Sequence, residues 1–150
     1  MCAICSRLGP SFLGIESDLF VLAYVASLAT KLADTIASEI GKAYGKTTFL
    51  ITNFSRVEPG TEGAVSAEGT AAAVLGGFLL SCYAYGIGLI SPVGVAISTS
   101  AAFWATNAES VLGATVQGKK GLEWMTNEVI NFLNTLIGAG LAVAGGMLFL

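Results

Sequence analysis

The chain has 150 residues, 54% of them hydrophobic and 11% charged, with a formal net charge of -3. That leaves too few polar residues to coat a water-soluble domain, so the bilayer is the expected solvent. Seven basic residues in a net-acidic chain exclude a nucleic-acid surface, and the absence of histidine excludes His-dependent triads, the HExxH zinc site and His-ligated metal centres.

From the N-terminus, Cys2 and Cys5 form a lone CxxC with no second ligand pair and no βαβ pattern around it, which argues against metal or redox use. The stretch around Arg7 and Pro10 is too short and too polar for a complete signal peptide. Four apolar segments follow, near residues 18–42, 70–91, 92–116 and 127–150. Each approaches the ~20 residues needed to cross a bilayer. The expected fold is all-α: an integral membrane helical bundle of about four transmembrane helices, forming a single domain over 1–150. Ser91-Pro92 separates the second and third segments, because proline starts a helix and disfavours helical geometry just before it. Cys82 falls in an apolar run, where a thiol packs as a small hydrophobe.

Lys42, Lys46 and Arg56 flank the first segment, and Lys119 and Lys120 follow the third. With four spans these connections share a side, and the positive-inside bias makes it cytoplasmic or stromal, where nucleotides are. Arg7 is the exception, on the opposite side with Glu16 and Asp18.

Polar residues mark one face on three helices. In the first, Lys31, Asp34, Thr35, Ser38, Glu39 and Lys42 recur at helical spacing, with Leu32, Ala33, Ile36, Ala37 and Ile40 between them. The third carries Thr99, Ala102, Thr106, Glu109, Gly113 and Gln117, flanked by Asn107 and Ser110. The fourth carries Asn127, Asn131, Asn134, Thr135 and Gly138. An ionised side chain at the centre of a helix in hydrocarbon costs at least ~2.5–3.5 kcal/mol, so these residues pair or line a wet cavity. A structural reading is available for part of the set, since Lys31 can neutralise Asp34 at i+3 and Asn or Thr can join helices. It leaves Glu39 and Glu109 unexplained.

The loop after the first segment contains Gly41-Lys42-Ala43-Tyr44-Gly45-Lys46-Thr47-Thr48. It imitates a P-loop, but Ile40 stands where the opening glycine belongs and no strand precedes it. Lysines, hydroxyls and glycine amides still suit phosphate oxygens. Further along, Glu58-Pro59-Gly60-Thr61-Glu62-Gly63-Ala64-Val65-Ser66-Ala67-Glu68-Gly69-Thr70 reads either as a turn and helix start or as a metal-nucleotide motif. In the second reading Glu62 and Glu68 hold Mg²⁺ together with nucleotide phosphates.

The segment from Leu28 to Lys42, the Gly60–Thr70 stretch, Glu109-Ser110-Val111-Leu112-Gly113-Ala114, and Trp124-Met125-Thr126-Asn127-Glu128 with Asn131 and Asn134 to Ala139 together resemble the plastid and cyanobacterial phytyl-phosphate kinase family of vitamin E synthesis. The resemblance covers roughly residues 20–150 and lies in four separate motifs in the family's order. It implies a multi-pass chloroplast envelope or thylakoid enzyme that converts phytyl phosphate to phytyl diphosphate, with CTP as donor and Mg²⁺ as cofactor. A prenyl lipid and a nucleotide are then the partners, and a homo-oligomer is compatible with the pattern. Family members carry further apolar helices before the Leu28 motif, so this chain is expected to lack part of the family's length. The sequence is also distantly similar to CTP-dependent polyprenol kinases, whose Lys-Ser-x-Glu-Gly-Thr stretch matches Ser66-Ala67-Glu68-Gly69-Thr70 except that Val65 replaces the lysine.

On this reading Asp34, Glu39, Glu68 and Glu109 are the catalytic candidates, and Asp34, Glu39, Glu62 and Glu68 the metal candidates. Lys31, Lys42, Lys46, Thr61, Glu62, Ser66, Thr70, Asn127, Asn131 and Asn134 are the candidates for substrate and nucleotide binding. A transporter using the same carboxylates as an ion path is the alternative, weakened by the acidic, glycine-rich loop outside the membrane. A non-catalytic assembly subunit is a third, resting on Gly76, Gly77, Gly145 and Gly146.

Overall fold

A computed structural model describes residues 11–12 and 15–150, with side chains from Ser17 onward. Cys2, Cys5 and Arg7 lie outside the described residues, as does the side chain of Glu16. A short antiparallel pair, β1 (Ser11–Phe12) and β2 (Ile15–Glu16), leads into α1 (Ser17–Tyr44). After it come β3 (Thr48–Leu50), β4 (Ala64–Ser66), α2 (Ala67–Gly86), α3 (Pro92–Val116) and α4 (Asn127–Phe149). The helices run up and down in chain order and pack on one another as a four-helix bundle.

Helices α2 and α3 start where the sequence supplies a capping serine. The Ser66 hydroxyl accepts from the Gly69 N–H at 3.1 Å to begin α2, and the Ser91 hydroxyl accepts from the Gly94 N–H at 3.0 Å, with Pro92 opening α3. Helix α2 ends at Gly86, a turn earlier than its apolar run. Gly88, at φ +76, lets the Leu89 N–H return to the Ala84 carbonyl and so satisfies the helix end.

The distribution of side chains is that of a protein in lipid. The buried face of α2 consists only of Gly69, Ala73, Gly76, Gly77, Ser81 and Ala84, while Val74, Leu75, Phe78, Leu79 and Tyr83 point outward. Helix α4 likewise buries Ala139, Ala142 and Gly146 and exposes Phe132, Leu136, Leu141 and Phe149. Water would expel such surfaces, whereas acyl chains solvate them and small residues bring the backbones close enough for dispersion to act. Helices α1, α2 and α4 are long and apolar enough to cross a membrane. Helix α3 is equally long, and its deficit in apolarity comes from the polar residues on one face.

Two alanine-rich layers form the core. Ala29, Ala33, Ala73 and Ala102 fill the middle, and Leu22, Ala26, Ala101 and Ala142 fill the half nearest the α2–α3 turn. Between α2 and α3 the buried Ser81 hydroxyl donates to the Ser98 hydroxyl at 3.0 Å. Such interhelical bonds in membranes contribute about 0.6–2 kcal/mol.

Helices α1 and α4 approach each other closely at Gly138. A Cβ there would run into the Oγ1, Cβ and Cγ2 atoms of Thr30, and Thr30 is fully buried and β-branched, so it has no rotamer into which to retreat. Gly138→Ala is therefore expected to destabilise the bundle by about 1–3 kcal/mol. Adding Thr30→Ala should restore most of the loss. Thermal unfolding in detergent checks both, and a double variant no better than the single one would place the contact elsewhere.

Candidate active site

The polar faces of α1, α3 and α4 meet at the end of the bundle where α1 and α3 finish and α2 and α4 begin. They surround a cavity of about 380 Å³. Helix α1 supplies Lys31, Asp34, Thr35, Ser38, Glu39 and Lys42, α3 supplies Thr106, Asn107, Glu109 and Ser110, and α4 supplies Asn127 and Asn131. The rim comes from Thr48 and residues 60–66, with Gly69 and Thr70 of α2. At 1.5 Å per residue α1 is about 42 Å long, against ~30 Å of hydrocarbon. Lys31 lies at its midpoint and Lys42 near its end, so the charged face runs from the membrane interior to the interface.

Lys31 is the hub of the deep end. Its ammonium donates to Asp34 Oδ2 at 3.4 Å and to Asn131 Oδ1 at 2.5 Å, and the Asn131 amide donates to the Asn127 carbonyl at 3.0 Å. One cation thus ties α1 to α4. The Glu109 carboxyl from α3 lines the same cavity as Asp34, Glu62 and Lys31. Carboxylates gathered in one cavity repel unless a cation or proton lies between them. At the shallow end Glu39 pairs with Lys42 at 3.7 Å, and both side chains are exposed, so this pair contributes little to stability.

Several hydroxyls on the polar faces are occupied within their own helix. Thr35 donates to the Lys31 carbonyl, Ser38 to the Thr35 carbonyl and Ser110 to the Thr106 carbonyl. Thr106 lines the cavity with its hydroxyl unpartnered, and Asn134, fully buried a turn below Asn131, has neither amide atom partnered.

The connection from α1 to α2 is more ordered than its glycine content implies. Strand β3 pairs antiparallel with β4 on one edge, and on the other Phe49 bridges to Arg56, while the Val57 N–H donates to the Thr48 carbonyl at 3.1 Å. Alternation over three residues is too short a signal for a strand, which is why this hairpin is not evident from sequence. The order around Lys46 is helix, turn, strand, the reverse of a P-loop, in agreement with the departure at Ile40.

Most of the sequence-derived candidates converge. Lys31, Asp34, Glu39, Lys42, Thr61, Glu62, Ser66, Thr70, Glu109, Asn127 and Asn131 all line the cavity. Three do not. Glu68 sits in the first turn of α2, where a carboxylate faces the helix N-terminus, and lines no concavity described here. Lys46 lines a neighbouring basin, and Asn134 is in the core. Among the described residues no three acidic or sulfur side chains surround one metal position, so Asp34, Glu39, Glu62 and Glu68 are not gathered as a single cage. Arg56, read from sequence only as a topogenic charge, lines the neighbouring basin, and Thr48, at the end of the phosphate-suited stretch, lies on a strand that the sequence does not reveal.

An apolar shell around a charged cavity defines an integral membrane protein. The chain belongs to the family described as integral membrane protein DUF92, whose model matches residues 1–139. It is 54% identical over 144 residues to an uncharacterised membrane protein of Synechocystis, covering 95% of this chain and 54% of that one. It is 46% identical over 127 residues to the chloroplastic protein VTE6 of Arabidopsis thaliana, covering 85% of this chain and 38% of that one. A membrane protein of Methanocaldococcus jannaschii is 35% identical over 124 residues, 82% of this chain and 50% of that one. The chain spans about half the length or less of the curated relatives it matches. No solved structure matches it.

Gly63 fixes the rim. It adopts φ +75, and a Cβ would strike Ala114 and the Ser110 carbonyl of α3. Gly63→Ala should therefore lift the rim, with amide exchange in residues 60–66 accelerating about tenfold or more. Unchanged exchange would mean that the rim is seated by other contacts.

Proposed function

We propose that the cavity transfers the terminal phosphoryl group of a nucleoside triphosphate, CTP, to the phosphate of a prenyl monophosphate, phytyl phosphate, giving phytyl diphosphate for tocopherol synthesis. The observation that carries this reading is the convergence of Lys31, Asp34, Glu109 and Asn131 from three helices at the bundle end bearing the basic loops. Those loops assign that end to the cytoplasmic or stromal face by the positive-inside bias. The similarity to a chloroplastic relative and to a cyanobacterial one supports a plastid or cyanobacterial membrane.

The chemistry asks mainly for positioning and charge neutralisation. An oxygen of the acceptor phosphate attacks the γ-phosphorus, the bond from phosphorus to the β–γ bridging oxygen breaks, and the nucleoside diphosphate leaves. Lys31 holds the acceptor phosphate, with Asn131 fixing the ammonium from the other side. Asp34 and Glu109 offer two carboxylates on the cavity wall, in keeping with Mg²⁺, which binds proteins through one or two carboxylates and takes its other ligands from phosphate and water. When bound, the ion would neutralise the charge that develops on the phosphoryl oxygens. A phosphate acceptor is ionised at neutral pH, so no strong general base is required, in keeping with a chain that has no histidine. The prenyl tail lies along the apolar helix faces. The alanine-rich layers below the cavity favour a one-ended site over a conduit for ions.

Membranes containing the protein, given γ-labelled CTP, Mg²⁺ and phytyl phosphate, should form labelled phytyl diphosphate. Asp34→Asn and Glu109→Gln are each expected to lower kcat by about 10²-fold or more, and Glu68→Gln by less than about twofold. Wild-type rates in both of the first two variants would rule out the site; solute flux without phosphoryl transfer would favour a transporter.

A further inference from the structure

A second concavity, of about 560 Å³, adjoins the first and is lined by Gly45, Lys46, Thr47, Arg56, Val57, Glu58 and Pro59. The two share a wall, since Thr48 and Thr61 line both. We infer that this basin holds the polyphosphate of the donor nucleotide, and that Thr48 and Thr61 mark the boundary across which its terminal phosphoryl group meets the acceptor in the inner cavity. The inference rests on the kinase reading of that cavity and assigns its two substrates to separate compartments.

The sign of the charge separates them. The inner cavity is lined by four carboxylates, Asp34, Glu39, Glu62 and Glu109, against two lysines, so a polyanion entering it alone would be repelled. In the basin Lys46 and Arg56 face a single carboxylate, Glu58. The basin's cations are also held on ordered backbone. Arg56 is fixed opposite Phe49 by the antiparallel bridge, with the Leu50 N–H donating to the Ser55 carbonyl at 2.9 Å. Lys46 follows the turn in which the Gly45 N–H closes on the Gly41 carbonyl at 3.1 Å. Thr48 is pinned between these two positions, its hydroxyl donating to the Val57 carbonyl at 2.5 Å. A guanidinium fork and an ammonium on such a platform are suited to the oxygens of adjacent phosphates.

The assignment predicts that the two substrates respond to different residues. In Lys46→Gln/Arg56→Gln, the Kd and KM for CTP should rise at least about tenfold while the KM for phytyl phosphate changes by less than about twofold. Lys31→Gln should show the opposite pattern, and Arg56→Lys should recover part of the loss by returning the charge without the fork. CTP binding to the unsubstituted protein, followed by titration calorimetry with Mg²⁺ present, should weaken as salt is raised. A double variant that binds CTP as the unsubstituted protein does, in membranes where transfer persists, would overturn the donor site and leave the kinase reading standing. An unsubstituted protein that neither binds CTP nor transfers phosphate would remove both.

Discussion

Charge in a bilayer has to be enclosed, and the bundle is organised around that requirement. Lys31 sits halfway along a helix that crosses the membrane, where an unshielded ammonium would cost several kcal/mol. Its contacts to Asp34 on its own helix and to Asn131 on α4 resolve the difficulty by drawing three polar faces inward. Once these faces turn inward, the large apolar side chains must point out. The helices are then held mainly by small residues, alanine, glycine and serine, with Leu22, Val25 and Ile130 the few large apolar side chains fully buried among them. Hydrophobic burial contributes little in this solvent, so the fit of small residues carries the helix contacts.

The same constraint explains what the sequence reveals. The four segments, the break at Ser91-Pro92 and the polar spacing in α1, α3 and α4 are periodic or compositional, and each corresponds to an element or a face in the bundle. Lys31, Asp34 and Glu109 are conspicuous because charge is rare in apolar helices. The region from Thr48 to Ser66 is not legible in this way. Its strands have three residues each and are set by pairing across 13 intervening positions, which no local pattern records. Glu68, placed among the metal candidates by its motif, sits in the first turn of α2 and does not line the cavity. Asn134 shares a face with Asn131 on α4, yet Asn131 lines the cavity and Asn134 is buried in the core.

The membrane family and the apolar outer surface of the bundle agree on an integral membrane protein. A charged, partly enclosed space open to the side of the basic loops suits a substrate whose head is ionic and whose body is lipid. The relatives are longer than this chain, which matches about half of their length or less.

Ser66 occupies an unusual position in this arrangement. Its hydroxyl caps α2, and the side-chain-free positions of Gly41, Gly45 and Gly69 all abut it. The lip of the cavity and the first turn of a membrane-crossing helix are therefore one mechanical unit. Displacing the lip at Ser66 would remove the cap from that turn.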